Sequence, residues 1–158
     1  MDRIGFGYDV HRFAKHRPLM LGGVKIPAVK GLAGHSDADV LLHAIGDALL
    51  GAAALGDLGV HFPDDDERFR DADSRKLVRK IAGIVKDAGF TVANVDATVA
   101  LQRPKLRGYI DLMRASIART LSIDSARVSI KATTTEGLGF VGREEGAAAW
   151  AVVLLKVI

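Results

Sequence analysis

One segment of the sequence restricts the fold more than any other, because it is apolar on nearly every side. Residues 36 to 54, SDADVLLHAIGDALLGAAA, are rich in alanine and leucine and begin with Ser36 and Asp37, either of which can cap a helix. We predict a helix here, and a helix without a polar face must be surrounded by protein. Asp39, His43 and Asp47 are spaced four apart and form one polar stripe, which requires partners.

The length and composition limit the possible folds and sites. The 158 residues, 49% of them hydrophobic, suffice for one domain with its own core and are too few for two ordinary ones. We therefore predict a single catalytic domain over residues 1–158. The chain has no cysteine, so any metal must bind to nitrogen and oxygen ligands. The net charge of +3 is spread along the chain, which is weak evidence for nucleic-acid binding.

No stretch of the sequence predicts a membrane span or a leader peptide. The longest apolar stretches, such as Ala147 to Leu155, fall short of the roughly 20 residues that a spanning helix requires. Met1 is followed at once by a charged residue, and no Arg/Ser-rich amphipathic segment follows. We expect a cytoplasmic protein with no membrane and no nucleic-acid partner.

The remaining segments alternate between strand and helix patterns. Helices are predicted from Ser74 to Ala88 and from Lys105, opened by Pro104, to Leu121. Residues 57 to 73 are polar and without a period, which predicts a long functional loop. Strands are predicted over residues 3–9, 18–26 with a turn at Gly22-Gly23, 92–101, 128–133 and 146–158. A strand, a helix and a strand in succession form a βαβ unit, so residues 92–101 and 128–133 should pair in parallel.

This order of elements predicts an α/β fold, specifically an α+β sandwich with a mixed four-stranded sheet and helices on one face. The other face of the sheet also needs a cover. The sheet could be apolar on both faces at the last strand and at four other residues. Self-association would then bury the apolar face that one layer of helices leaves exposed. Those four residues are Val99, Leu101, Val128 and Ile130. We therefore predict a homo-oligomer.

A metal site is predicted at Asp9, His11 and His43. Asp9 and His11 lie two residues apart at the end of the first strand, so their side chains point to the same face. Two imidazoles and one carboxylate leave a fourth tetrahedral position open, as catalytic zinc sites do. The alternative is that the Asp-x-His triplet is coincidental and His43 is an ordinary core histidine. The pattern alone does not decide between them.

Two further segments concentrate polar groups. His35 and Ser36 precede the predicted helix, where free backbone N–H groups favour an anion such as phosphate, unless Ser36 is only the cap. Residues 131 to 136, KATTTE, place three hydroxyls and a carboxylate at the end of a strand, where α/β sheets usually bind ligands. The acidic residues between 57 and 66 are equally explained as solvated surface.

Taken together, these segments resemble a known enzyme family. The matching segments are Asp9-Val10-His11, Ala33 to Asp37, His43, Gly56 to Gly59, Phe62 to Asp64, Arg103-Pro104-Lys105 and Lys131 to Glu136. In order and spacing they resemble the 2-C-methyl-D-erythritol 2,4-cyclodiphosphate synthases over nearly the whole chain. The resemblance implies a phosphorus-oxygen lyase of the non-mevalonate isoprenoid route. Such an enzyme converts 4-diphosphocytidyl-2-C-methyl-D-erythritol 2-phosphate to the cyclic diphosphate and releases CMP.

The resemblance also implies two divalent ions. Asp9, His11 and His43 would bind Zn²⁺ or another divalent ion, whose open position takes a β-phosphate oxygen of the substrate. Glu136 would hold Mg²⁺ or Mn²⁺, which bridges the α- and β-phosphates. The ions offset the repulsion between the 2-phosphate and the diphosphate that it attacks, so no covalent protein nucleophile is needed.

By the same resemblance, His35, Thr134 and Glu136 would be catalytic. Asp57 and Gly59 would hold the methylerythritol hydroxyls, under a flexible loop that begins at Phe62. The segment from Leu101 to Arg107, with Thr133, would bind cytidine. The complete set of substrate-binding residues implied is Asp9, His11, His35, Ser36, Asp57, Leu58, Gly59, Phe62, Pro63, Asp64, Asp65, Asp66, Leu101, Pro104, Lys105, Leu106, Arg107, Thr133, Thr134, Thr135, Phe140 and Arg143.

The resemblance further implies a homotrimer with active sites at the subunit interfaces, in agreement with the predicted oligomer. Arg143 and Glu145 match residues on the trimer axis, where some members bind isoprenoid diphosphates. Phe6 and Tyr8 depart from the pattern, in which His and Phe are frequent at those positions. Neither change should affect zinc, but Tyr8 leaves the polarity of the axial cavity open.

Two other classes of function remain open from the sequence. A zinc-dependent phosphohydrolase would use the same three ligands to activate water, and its product would not be cyclic. A nucleic-acid-binding module would use the pI near 9.3 and the basic faces of the helices at Ser74 and Lys105. Only 6% of the residues are aromatic, so surfaces on which bases stack are scarce.

Overall fold

A mixed five-stranded sheet organises the chain, which a computed structural model describes from Met1 to Ile158. The strands are β1 Arg3–Ala14, β2 Leu19–Leu21, β3 Val24–Ile26, β4 Gly31–Leu32, β5 Phe90–Ala100, β6 Val128–Thr133 and β7 Gly146–Val157. The helices are α1 Val40–Ala52, α2 Leu58–His61, α3 Ser74–Asp87, α4 Ile110–Leu121 and α5 Gly139–Gly142. The sheet order is β4-β1-β7-β5-β6, and β2 and β3 form a separate hairpin.

The sheet has five strands, one more than the four predicted. β4 has only two residues, too few to show a period, and pairs with the last residues of β1. β1 itself extends beyond the predicted end at Asp9, since it pairs with β7 as far as Arg12 and with β4 at Phe13 and Ala14. The βαβ prediction is confirmed, since β5 and β6 pair in parallel, and so is the turn at Gly22 and Gly23, whose φ angles are 59° and 76°.

Two of the three long helices begin later than predicted, whereas α3 begins at Ser74 as expected. α1 begins after Asp39, whose carboxylate accepts a hydrogen bond from the Leu42 N–H, and not at Ser36 or Asp37. Asp39 is favoured because it also accepts the N–H groups of Gly22 and Gly23, which fasten the β2–β3 turn to the helix. α4 begins at Ile110 after one 3₁₀ turn, because residues 102 to 106 run irregularly past the ends of β5 and β6.

α1 lies directly on β1 because glycine occupies two positions beneath it. A Cβ on Gly5 would lie 1.8 Å from the carbonyl oxygen of Ala48, and one on Gly7 would lie 1.9 Å from that of Ala44. Ten of the thirteen residues of α1 are buried, as its all-round apolar sequence predicts. Asp9 continues the same alternation as the two glycines, so it points toward the helix as well.

The helices cover one face of the sheet and leave the other open. Val99, Leu101, Val128 and Ile130 all belong to the core beneath the helices, so the prediction that these residues are also apolar on the open side was wrong. The open face is apolar at β1 and β7 instead, because alternation turns every second side chain of those strands outward. We call it the uncovered sheet face, and its exposed apolar residues are Ile4, Phe6, Tyr8, Val10, Trp150 and Val152. None of the helices is long and apolar enough to cross a membrane.

Candidate metal centre and the pockets beside it

The three predicted ligands converge on one point between β1 and α1. Asp9 Oδ2 lies 2.9 Å from His11 Nε2 and 3.1 Å from His43 Nδ1, and the two imidazole nitrogens lie 3.1 Å apart. A tetrahedral ion with bonds of about 2.0–2.1 Å would place its ligand atoms about 3.3 Å apart. The triangle therefore needs to open only slightly to hold such an ion.

The hydrogen bonds of His11 show which of its nitrogens is free. Its Nδ1 lies 2.8 Å from the carbonyl oxygen of Ala33, which can only accept, so Nδ1 carries a proton. In the neutral ring, Nε2 then presents a lone pair to Asp9 and His43. A lone pair on Nε2 that faces the carboxylate of Asp9 is the arrangement in which this ring could bind a divalent ion.

Charge within the cluster shifts two pKa values. Burial alone would raise the pKa of Asp9, but hydrogen bonds and positive charge from His11 and His43 outweigh it and lower the pKa from 3.8 to about 2. Burial would lower the pKa of His11, but its hydrogen bond to Asp9 and the charge of that carboxylate outweigh it and raise the pKa above 6.5. Asp9 is therefore ionised throughout the physiological range and attracts a cation.

His43 is held on its far side by two hydroxyls. Its Nε2 lies 2.9 Å from Ser74 Oγ and 3.1 Å from Ser36 Oγ. The Ser74 hydroxyl in turn donates a short hydrogen bond to Asp37 Oδ1. Ser36 was predicted to meet phosphate at the mouth of the helix, but its hydroxyl also accepts from the Ala38 N–H beside the metal ligand.

A cavity of about 520 Å³ opens in front of the three ligands, and we call it the metal pocket. It collects the predicted residues His35 and Ser36, the segment from Asp57 to Gly59, and the segment from Phe62 to Asp64. Asp65 and Asp66 do not line it. The segment at Leu58 is fastened to α1, since Asp47 accepts a hydrogen bond from the Leu58 N–H at 2.8 Å.

Residues 62–73, which we call the acidic loop, are attached to the segment at His35 and Asp37 mainly by main-chain groups. The Asp71 N–H donates to His35 O at 2.8 Å, and the Asp37 N–H donates to Ala72 O at 3.0 Å. The His35 ring donates to Asp66 O at 2.8 Å. Residues 57–73, predicted as one long loop, also contain α2 and a 3₁₀ turn at Glu67–Phe69.

A second cavity, of about 350 Å³, lies at the end of β6, and we call it the strand-end pocket. Its lining shares no residue with the metal pocket. From the predicted cytidine segment it includes Leu101, Gln102, Pro104, Lys105, Leu106 and Arg107. It also includes the predicted Thr133 and Thr134, together with Ile110, Ile130 and Ala132, which were not predicted to bind substrate.

The sheet itself separates these two pockets. Asp9 pairs with Ala149, Ala149 pairs with Val99, and Val99 pairs with Ala132, so these residues form one row across four strands. Three strand spacings of about 4.8 Å place Asp9 about 14 Å from Ala132. Within one chain the metal ligands and the threonines after Ala132 therefore do not meet at a common centre.

Comparison with known proteins decides the family. The model of the YgbB family matches residues 2–156 of the chain. The chain is 64% identical over 154 residues to the 2-C-methyl-D-erythritol 2,4-cyclodiphosphate synthase of Salinibacter ruber, covering 98% of each sequence.

The chain belongs to the YgbB family.

Solved structures agree with this membership. The bifunctional IspDF from Campylobacter jejuni matches with a TM-score of 0.97 and 46% identity, covering 100% of this chain and 43% of that longer chain. A 2C-methyl-D-erythritol-2,4-cyclodiphosphate synthase in a CDP-bound form matches with a TM-score of 0.90 and 38% identity, covering 98% of this chain and 100% of the other. The chain thus shares the fold of these proteins over nearly all of its residues.

Besides Asp65 and Asp66, four of the residues that the resemblance assigned a role line neither pocket. Thr135 is half-buried after β6, and Glu136 begins an exposed turn at a φ of 53°. Phe140 lines a third cavity, with Val10 and Lys30. Arg143 is exposed and pairs with Glu145 at 2.8 Å. Glu136 does not belong to a cluster of three or more acidic or imidazole groups, since the one such cluster in the YgbB chain is Asp9, His11 and His43.

Sequence reasoning missed several residues of this YgbB site. Asp47 was noted only as part of a polar stripe, yet it lines the metal pocket, and burial raises its pKa. Ser74 was taken only as the start of a helix. The stripe at spacing four was the available signal for Asp47, whereas nothing in the local sequence connects Ser74 with His43, 31 residues away. Phe6 and Tyr8 point away from the metal pocket, on the uncovered sheet face.

Proposed function

We propose that this chain is a single catalytic domain that converts 4-diphosphocytidyl-2-C-methyl-D-erythritol 2-phosphate to 2-C-methyl-D-erythritol 2,4-cyclodiphosphate. An oxygen of the 2-phosphate forms a bond to the β-phosphorus. The bond between that phosphorus and the oxygen bridging to the α-phosphate breaks, and CMP leaves with the bridging oxygen. No water enters the product, so the reaction is an intramolecular substitution at phosphorus that expels CMP, and the enzyme is classed as a lyase.

One observation carries the proposal. Asp9, His11 and His43 converge within hydrogen-bonding distance of one another, in a chain that matches cyclodiphosphate synthases along nearly its whole length. The donor set of one carboxylate and two imidazoles suits Zn²⁺ and leaves room for a substrate oxygen. An ion held there would withdraw negative charge from the diphosphate and polarise its phosphorus.

The residues of the metal pocket would bind and align the reacting half of the substrate. His35 and Ser36 would contact phosphate oxygens. The Asp57 carboxylate would accept hydrogen bonds from the methylerythritol hydroxyls, and the Gly59 N–H would donate one to them. The His35 ring now donates to Asp66 O, so a contact with phosphate requires that this bond be exchanged. Such alignment removes the entropy cost of bringing the two anionic groups together.

The residues of the strand-end pocket would bind the cytidine half. Thr133 and the backbone near Lys105 would meet the base and ribose, and Thr134 would stabilise charge on the transferred phosphorus. Glu136 would be the protein ligand of Mg²⁺ or Mn²⁺, whose other positions go to substrate phosphate oxygens and water, as is common for these ions.

We further propose a homotrimer in which each active site combines two chains. The uncovered sheet face presents the apolar side chains of Phe6, Tyr8 and Trp150, which water would otherwise contact. The metal pocket and the strand-end pocket lie on different strands of one chain, so a neighbour must supply the second half of each site. Burial of the uncovered sheet face would bring the two halves together.

Three finer expectations stay predictions. Zinc and the identity of the second ion follow from the resemblance and from the ligand chemistry. An isoprenoid diphosphate on the trimer axis would meet Arg143, near the cavity lined by Phe140 and Glu145. The cytoplasmic location likewise remains an expectation from the sequence.

The test is to follow the products from the diphosphocytidyl substrate, with and without a chelator. We expect equal amounts of CMP and the cyclic diphosphate, loss of both after chelation, and recovery on adding back Zn²⁺ with Mg²⁺. Release of CMP with an open-chain phosphate product would instead identify a phosphohydrolase. Full turnover after complete removal of metal would contradict the metal centre.

A further inference from the structure

The inference concerns the residues behind His43, which the proposed reaction does not itself use. Ser74 is fully buried at the first position of α3, and Asp37 lies in the bend before α1. The two side chains and the His43 ring form one chain of hydrogen bonds that leads away from the metal pocket. Each link in this chain has a determined direction.

The direction starts at the carboxylate. Ionised Asp37 has only acceptor atoms, and it already accepts the backbone N–H groups of Ser74 and Asp39. The Ser74 hydroxyl must therefore donate its single proton to Asp37 Oδ1. Its lone pairs are then left to face His43 Nε2 at 2.9 Å, so Nε2 must be the nitrogen that carries the ring proton.

This direction decides between two tautomers of His43. With the proton on Nδ1, the ring would donate to Asp9 Oδ2 at 3.1 Å, and the Ser36 hydroxyl could donate to Nε2. That arrangement gives both ring nitrogens a hydrogen bond, but the proton on Nδ1 prevents this nitrogen from binding an ion together with Asp9 and His11. With the proton on Nε2, the Nδ1 lone pair is free for an ion.

We propose that Asp37 and Ser74 are positioning residues that hold His43 in the Nε2-protonated tautomer and thereby set the affinity of the metal centre. The proposal rests on the proposed function, because it assumes that Asp9, His11 and His43 bind a divalent ion. A carboxylate acting through a hydroxyl would orient the imidazole and increase its basicity, as directly bonded carboxylates do at other metal-binding histidines.

The first test is Ser74→Ala, which removes the hydroxyl but keeps the Ser74 N–H bonded to Asp37. The zinc dissociation constant, measured by competition with a chelator dye, should rise by about 10–100-fold. Turnover should fall at limiting zinc and recover in excess zinc, which a general packing defect would not do. In the metal-free protein at alkaline pH, ¹⁵N NMR of the His43 ring should show the proton moving from Nε2 toward Nδ1.

Ser116→Ala is the matched control. Ser116 is 4% exposed, lies on α4 and lines neither pocket, so its removal costs a buried hydroxyl without touching His43. Zinc affinity and the His43 tautomer should be unchanged in this variant.

Asp37→Asn keeps the proposal testable if Ser74→Ala does not fold. An amide nitrogen facing Ser74 would donate to the hydroxyl, which would then turn its own proton toward His43 Nε2 and favour the blocked tautomer. Zinc affinity should fall at least as far as in Ser74→Ala.

The outcomes separate the two proposals. If the wild-type protein binds no zinc, both the metal centre and the positioning role are wrong. If the wild type binds zinc and the variants bind it equally tightly with an unchanged tautomer, only the positioning role is wrong.

Discussion

The metal pocket and the strand-end pocket differ in how completely one chain builds them. At the metal pocket, Asp9, His11 and His43 are partly buried and each ring has a second hydrogen bond behind it. At the strand-end pocket, Thr133 and Thr134 are exposed, and the hydroxyl of Thr133 donates only to a neighbouring carbonyl. The side chains of the metal pocket are therefore held in position by hydrogen bonds before a ligand binds, whereas the two threonines of the strand-end pocket are not held by other side chains.

This difference shows how the work of one reaction can be divided. An ion is small and requires fixed ligand distances, so its ligands lie where a strand and a helix are in direct contact. A nucleotide is large and can be held by several weaker contacts from two chains. The metal pocket should therefore respond sharply to single changes, and the strand-end pocket more gradually and in a way that depends on the partner subunit.

The largest expected effect is that of His43→Ala. Loss of one of three ligands should lower turnover about a thousandfold, since about 4 kcal/mol of charge stabilisation disappears. CMP release and the zinc content per chain measure it, and the trimer should persist by light scattering. His16→Asn, at an exposed histidine with a φ of 61°, is the control and should be fully active.

A smaller loss is expected from Thr134→Val at the strand-end pocket. The substitution keeps the shape but removes a hydroxyl that would bond to charged phosphate, worth about 1.5–3 kcal/mol, or about 10–100-fold in kcat. Zinc content should stay at the wild-type level. A variant that lost its zinc instead would mean that the two pockets are not independent.

Mixing the two variants tests whether the pockets come from different chains. Co-expressed at equal levels, His43→Ala and Thr134→Val subunits would randomly pair one intact metal pocket with one intact strand-end pocket in about a quarter of shared sites. Turnover of the whole co-expressed population should therefore reach about a quarter of the wild-type value. Activity equal to the average of the two separate variants would show that each site lies within one chain.

Zinc binding should weaken as the pH falls. Because the pKa of His11 is raised above 6.5, protons compete with the ion for this ring already near neutral pH. Below that pKa, the zinc dissociation constant should rise at least about tenfold per pH unit, since at least one proton is displaced for each ion bound. Chelator competition in a series of buffers measures the slope. A flat profile down to pH 6 would contradict the raised pKa.

The same raised pKa has a consequence for stability without metal. A group whose pKa is higher in the folded state stabilises that state fully below its unfolded pKa and loses the contribution as the pH rises through the folded value. The stabilisation that His11 gives the metal-free protein should thus disappear on going to alkaline pH, whereas that from Asp9 should be lost only in acid, toward pH 2.

The smallest effects concern two glycines and the free energy of unfolding. Gly7→Ala would place a methyl group against the Ala44 carbonyl and push α1 from β1, at a cost of about 1–3 kcal/mol and with weaker zinc binding. Gly83→Ala is the control, since nothing lies within 4 Å of its added methyl group on α3. It should stabilise the helix by about 0.5–1 kcal/mol. Urea unfolding measures both.

The parts of the molecule that follow from nearby residues could be predicted from the sequence. Asp9 and His11 share a face because they are two apart in a strand, and His43 falls on the helix that the apolar segment predicts. The helix start could not be predicted in this way. Ser36, Asp37 and Asp39 are all good caps, and contacts of Asp39 with a hairpin turn 16 or 17 residues away decide among them.

Long-range contacts account for the other failures. β4 exists only because the end of β1 pairs with it, and two residues carry no pattern of their own. Ser74 reaches His43 from another helix, so its role became visible only in three dimensions. The sequence predicts an uncovered sheet face at the last strand, but half of that face lies on β1. There Phe6 and Tyr8 alternate with Gly5 and Gly7, and glycine gives no apolar or polar signal from which the alternation could be recognised.

The acidic loop is joined to its neighbours by peptide groups at Asp71 and Ala72, so its path owes little to which side chains it displays. Asp64, which lines the metal pocket, can accordingly be replaced to accommodate a different polyol without changing the path of the loop. Proline is the exception at position 71, where the ring would delete the amide proton that ties the loop to His35. For enzyme engineering, the side chain of Asp64 can thus be changed, whereas the backbone N–H of Asp71 must be kept.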